Sequence, residues 1–196
     1  MGCGDGLFFP DLETLGSVRG VEADDRIVDP NGPYFDRIHL GRFDDSYQTN
    51  QPFDWIVMLD VLEHIPDATT ALKKARDLLN PDGRMLLTVP AFNLLWTKHD
   101  DFNHHITRYT KRLMGQQACQ AGFEIENQHY LFHWTFPAKL LVRLKESLSP
   151  TTPKPASLPG KVSNAILKTI CRFEQATLTQ LRPPFGSSLV VSLRKK

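Results

Sequence analysis

The chain has 196 residues, enough for one ordinary domain and too few for two. Hydrophobic residues at 41%, charged residues at 23% and aromatics at 10% exclude a disordered, fibrous or coiled-coil chain. With 23 Lys and Arg against 22 Asp and Glu, the net charge of +1 supplies no global attraction to nucleic acid or anionic lipid, and no nucleic-acid partner is expected.

In chain order, residues 18–23 and 37–40 read as short strands. The apolar run 53–59, entered from Pro52 and left at Asp60, predicts a strand buried on both faces. A helix follows, capped by Asp67, with Ala68, Ala71, Leu72, Ala75, Leu78 and Leu79 on one stripe and a stop at Pro81 and Gly83. Residues 85–89 repeat the buried-strand pattern up to Pro90, a helix runs from about Thr110 to Ala121, and residues 123–126 alternate as a partly exposed strand. Beyond lie an apolar, aromatic stretch from Tyr130 to Leu148, a Pro/Ser/Thr-rich link over 149–159, a helix over about 161–181 and a closing strand from Ser188. Alternating strands and helices predict an α/β fold. A single domain is expected, with a core over 1–129, a helical insertion over 130–186 and the last strand over 187–196.

Cys3, Cys119 and Cys171 are odd in number and far apart, which suggests neither a disulfide framework nor zinc, and a reducing cytoplasm is the expected location. No signal peptide or spanning segment is apparent. The segment 96–110 contains His99, Asp100, Asp101, His104 and His105, but their spacing matches no metal pattern and no metal is expected.

The chemistry begins at the first residues, Met1-Gly2-Cys3-Gly4-Asp5-Gly6. Glycine at every second position lets backbone approach a ligand and turn sharply. Glu22, 16 positions after Gly6, ends the next strand candidate, where a carboxylate can accept from both hydroxyls of a ribose. His64, four positions after Asp60, is either a helix-start residue or a base facing a reacting group.

These motifs resemble the class I S-adenosylmethionine-dependent methyltransferases. The likeness rests on residues 2–6, on Gly20-Val21-Glu22-Ala23-Asp24, on the run 53–67 and on the run 79–90, in the family's order. A nicotinamide fingerprint fits less well, because its third glycine falls at Leu7. The resemblance implies a Rossmann-like, doubly wound, mostly parallel sheet with an antiparallel last strand and a helical insertion before it. It implies S-adenosylmethionine as cofactor. Gly2, Cys3, Gly4, Asp5 and Gly6 would cradle its methionine part, Glu22 with Ala23 the ribose, Asp44 the adenine, and Leu59 and Asp60 the pocket wall. His64 and His105 are the candidate catalytic groups, the latter within a His-x-x-Arg-Tyr-Thr signature at 105–110 that would overhang the site. In this family a central strand precedes the glycine loop, so the chain is expected to be shortened at its amino end and to lack that strand. The expected acceptor is small or lipid-like, with residues 130–148 forming a lid or a peripheral membrane contact. Two rivals remain: an NAD-dependent oxidoreductase, and a non-catalytic nucleotide-binding or scaffold module.

Overall fold

The computed structural model describes residues 1–44, 47–148 and 160–196. The predicted link over 149–159 and Asp45 lie outside these residues. Among the described residues, six strands form two sheets. β1 (Gly20–Glu22) and β2 (Ile38–Leu40) pair in parallel. β3 (Phe53–Leu59), β4 (Leu79–Pro90), β5 (Phe123–Leu131) and β6 (Ser188–Lys195) make a second sheet in the order β3-β4-β6-β5. β3 and β4 run parallel, and the last strand in sequence, β6, is antiparallel to both its neighbours, as expected. The sheets are joined through the first residues: Met1 N donates to Val57 O at 2.8 Å, and Gly2 N donates to Val21 O at 2.8 Å.

The core follows from strand periodicity. Met85, Leu87 and Val89 of β4 stand opposite Leu193, Val191 and Leu189 of β6, and all six are fully buried. Helices α2 (Ala68–Asp77) and α4 (Lys111–Gln120) join that core through Ala71, Leu72, Ala75, Met114 and Ala118. Their starts are fixed locally, since Asp67 accepts from Thr70 N at 3.0 Å and Thr110 accepts from Leu113 N at 3.2 Å.

Four expectations are corrected. β3 is not buried on both faces: Trp55 is 51% exposed, because α2 and α4 cover one side of the sheet only. The strand after α2 starts at Leu79, before Pro81 and Gly83, because Leu79 pairs with Phe53. β5 does not stop at the expected residue 126 but continues to Leu131, held by β6. The terminal helix breaks at Thr177 into α6 (Lys161–Ala176) and α7 (Leu178–Leu181). Three further helices complete the described chain: α1 (Phe9–Glu13), α3 (Lys98–Phe102) and α5 (Thr135–Leu148). Among the described residues no helix is long and apolar enough to cross a membrane.

Candidate active site

Parallel strands present their carboxyl ends at one edge of their sheet, where ligands bind in open α/β folds. Glu22 ends β1, Asp44 follows β2, Leu59 ends β3 and Asp60 follows it. Gly2 and Gly6 adopt φ values of +63° and +78°. A Cβ on Gly2 would lie 2.5 Å from Val61 Cγ2, and one on Gly6 would lie 2.9 Å from Tyr34 Cδ2, so neither position tolerates a side chain. Glu22 pins this loop, with Oε2 accepting from Gly4 N at 2.8 Å and Oε1 accepting from Asp24 N at 3.0 Å. It is 8% exposed, and each oxygen keeps lone-pair capacity for a further donor.

The other expected cofactor residues are placed as follows. Cys3 is half-buried, and burial pushes its thiol above the usual range. Asp5 is exposed and accepts from Asp29 N at 2.9 Å, which ties the loop to the turn after β1. Ala23 and Asp44 are exposed, and the Asp44 carbonyl accepts from Tyr47 N at 3.1 Å. Leu59 is 38% exposed. Asp60 takes a left-handed φ of +52°, with its N–H shared between Thr88 O at 3.0 Å and Thr88 Oγ1 at 3.1 Å. These residues fit a cofactor that carries a ribose and an amino acid: a glycine turn with exposed backbone at Gly2 stands beside a buried carboxylate at the strand ends. A groove of about 780 Å³ lined by Asp36, His39, Tyr47 and Gln51 opens at the opposite, amino ends of β1 and β2 and includes none of them.

The two candidate catalytic histidines, remote in sequence, meet. Their rings pack edge to face with centroids 4.9 Å apart. His64 closes the 3-10 turn Leu62–His64 that follows β3, and His105 leaves α3. His105 Nδ1 lies 2.8 Å from Asp100 Oδ1. Asp100 also accepts from Arg108 Nε at 2.8 Å, Arg108 Nη2 at 3.1 Å and Thr97 N at 2.9 Å. Burial opposes its charge, but Arg108, Thr97 and His105 together hold its carboxyl below the usual carboxylate range. Asp100 is therefore an ionised acceptor, and His105 Nδ1 carries the proton between them. Burial, and next the neighbouring His105, lower the pKa of His64.

Sequence reasoning missed three residues here. Glu63 is fully buried and neither carboxylate oxygen finds a partner among the described residues; burial pushes its pKa to about 8. Arg108, also buried, donates Nη1 to Ala91 O at 2.9 Å besides holding Asp100. Lys139 of α5 is half-buried, and burial, followed by repulsion from Arg108, lowers its pKa. The 105–110 signature is thus partly structural, since Tyr109 is 1% exposed and Thr110 caps α4. α5 is fastened beside this cluster by Arg143 Nη1, which donates to Asn93 O and Leu94 O at 2.9 Å, and by Glu146, which accepts from Lys98 N at 3.0 Å.

A glycine turn, an acid at the end of the adjacent strand and a histidine cluster after β3 define an α/β domain built to hold a nucleoside cofactor at its carboxyl edge. The family described as "Methyltransferase domain" matches residues 1–128. The chain belongs to that family and is an S-adenosylmethionine-dependent methyltransferase. No curated protein sequence matches it. Among solved structures, a SAM-dependent methyltransferase from Archaeoglobus fulgidus aligns with a TM-score of 0.62 at 12% identity, over 99% of this chain and 83% of that one. An S-adenosylmethionine-dependent methyltransferase from Mesorhizobium loti gives 0.58 at 14% identity, over 99% and 88%. Phosphoethanolamine N-methyltransferase 2 of Haemonchus contortus, in complex with S-adenosyl-L-methionine, gives 0.57 at 14% identity, over 99% of this chain and 47% of that one. At these identities the likeness is one of fold.

Proposed function

We propose that this chain methylates a small or lipid-like acceptor beneath α5, with the His64–His105 pair facing the acceptor. The observation that carries the proposal is the contact of these two rings at the carboxyl end of β3, next in space to the strand ends that bear Glu22 and Asp60. When bound, S-adenosylmethionine supplies an electrophilic methyl group on a sulfonium. Gly2, Cys3, Gly4, Asp5 and Gly6 bind its amino-acid part, Glu22 and Ala23 its ribose, Asp44 its adenine, and Leu59 and Asp60 close the wall. The protein's main task is alignment of nucleophile and methyl, where orientation is worth about 7–11 kcal/mol. With its pKa lowered, His64 is neutral near pH 7 and available to take the acceptor's proton, while Asp100 keeps the His105 ring in one orientation.

The lipid-like reading draws on the helices. Leu141, Val142, Leu144 and Leu148 of α5 and Val162, Ile166 and Phe173 of α6 are exposed, beside Arg143, Lys145, Lys161, Lys168 and Arg172. An apolar surface rimmed by cations suits peripheral contact with an anionic membrane from the cytoplasmic side. Two measurements test the proposal. S-adenosylhomocysteine, and not NAD, should raise the melting temperature of the folded chain. Anionic vesicles should sediment the protein at low salt. Protection by NAD alone would overturn the methyltransferase mechanism; failure to bind vesicles would remove the lipid-like acceptor.

A further inference from the structure

The unexplained feature of the active site is Glu63. A fully buried carboxyl with neither oxygen hydrogen-bonded costs free energy, and native folds rarely retain one without a use. One ligand atom each from Glu63, His64 and His105 lie within 4.8 Å of one another. One of the two rings is held from behind. His105 donates from Nδ1 to Asp100, which leaves its Nε2 lone pair free, and the backbone of His104 stands beside the His64 ring. A carboxylate or backbone oxygen behind an imidazole is the arrangement that orients metal-binding histidines and raises their basicity.

We propose that Glu63, His64 and His105 bind a divalent first-row transition-metal ion. Two imidazoles and one carboxylate form the donor set of His₂Glu zinc sites and of facial triads that keep coordination positions open. Bonds of about 2.0–2.2 Å to the ion bring such ligands closer together than 4.8 Å, so the triad closes on binding. His64, the exposed member at the end of a short turn, supplies that movement. Asp60 adds nearby negative charge, whereas the cation nearest the triad's support, Arg108, is engaged by Asp100. With the ion bound, His64 would serve as a ligand and not as the base, and an acceptor oxygen in an open coordination position would replace water and lose its proton more readily. That use in catalysis rests on the methyl-transfer reading above; the site itself does not.

The test is calorimetric titration of ZnCl₂ into the full chain after dialysis against chelator, with no cofactor present, together with the visible spectrum of the Co²⁺ form. One ion per chain is expected, with the intense d–d bands of a low-coordinate nitrogen and oxygen site. Glu63→Gln, which preserves volume, and His105→Ala should each weaken binding at least about tenfold. His99→Ala, outside the triad, should leave it unchanged. Absence of stoichiometric Zn²⁺ binding, or binding unaltered by Glu63→Gln and His105→Ala, would overturn the proposal. If His105→Ala does not fold, Glu63→Gln and the wild-type Co²⁺ spectrum decide. Binding of S-adenosylhomocysteine in the same calorimeter reports separately on the methyltransferase reading.

Discussion

Replacing Arg108 by Leu removes a buried guanidinium from a buried carboxylate. The pair's side chains are 1% and 0% exposed, and the change deletes two donors to Asp100 and the bond to Ala91 O. Removing one partner of such a pair costs about 3–5 kcal/mol, because the remaining charge is stranded. For a domain of this size that corresponds to a fall in melting temperature of roughly 6–20 °C. Wild-type Asp100, with its lowered pKa, contributes stability above the ordinary carboxylate range that disappears as pH falls through its folded value. The cost of Arg108→Leu should therefore shrink as the pH drops below about 4. Urea denaturation at pH 7 and at pH 3.5, with the double variant Asp100→Leu/Arg108→Leu, measures both effects. A loss under about 1 kcal/mol at pH 7, or a double variant as unstable as the sum of the single ones, would refute the reasoning.

Other outcomes follow from the same physics. The folded chain holds a proton on Glu63 up to a pKa of about 8, against 4.5 unfolded, so metal-free protein should lose stability as pH rises between those values, by at most about 1.4 kcal/mol per unit. Glu63→Gln should flatten that slope in thermal scans; an unchanged slope would assign it elsewhere. Glu174 links α6 to the turn after β5, accepting from His133 N at 3.0 Å and lying 2.9 Å from His133 Nδ1. Glu174→Ala should destabilise by about 1–3 kcal/mol and accelerate amide exchange over α6 selectively; uniform exchange would contradict that assignment. β3 has a ladder with β4 on one side, so its amides pointing away from β4 should exchange much faster than those of β4, which is paired on both sides.

The parts of this structure that were legible in the sequence are those fixed locally. Asp67 and Thr110 announce the helix starts they cap, and the glycine spacing of residues 2–6 announces the loop that Glu22 pins. What needs tertiary information was not legible. The apolar run of β3 looks doubly buried, yet only the packing of α2 and α4 decides that Trp55 faces outward. Proline and glycine after α2 mark a helix end, but the register Phe53↔Leu79 starts the strand before them. His64 and His105 could be nominated by residue type, whereas their contact depends on the loop after β4 folding back, with Ala91 bridged to Tyr109. The sequence assigned Glu63 no role and Arg108 only a place in the 105–110 signature. The apolar neighbours Leu62 and Ile65 were the one available sign that Glu63 enters the core.

The most direct measurement is calorimetric titration of S-adenosylhomocysteine into the chain and into Glu22→Ala, with melting curves of both proteins. Stoichiometric binding in the micromolar range is expected of the wild type. In the variant, which removes the buried acceptor at the end of β1 and the anchor of Gly4, binding should be lost while the sheet built on β4 and β6 still melts cooperatively. A well-folded wild type that binds no S-adenosylhomocysteine, or a Glu22→Ala chain that binds it equally well, would contradict the central claim that Glu22 and the glycine loop hold the cofactor.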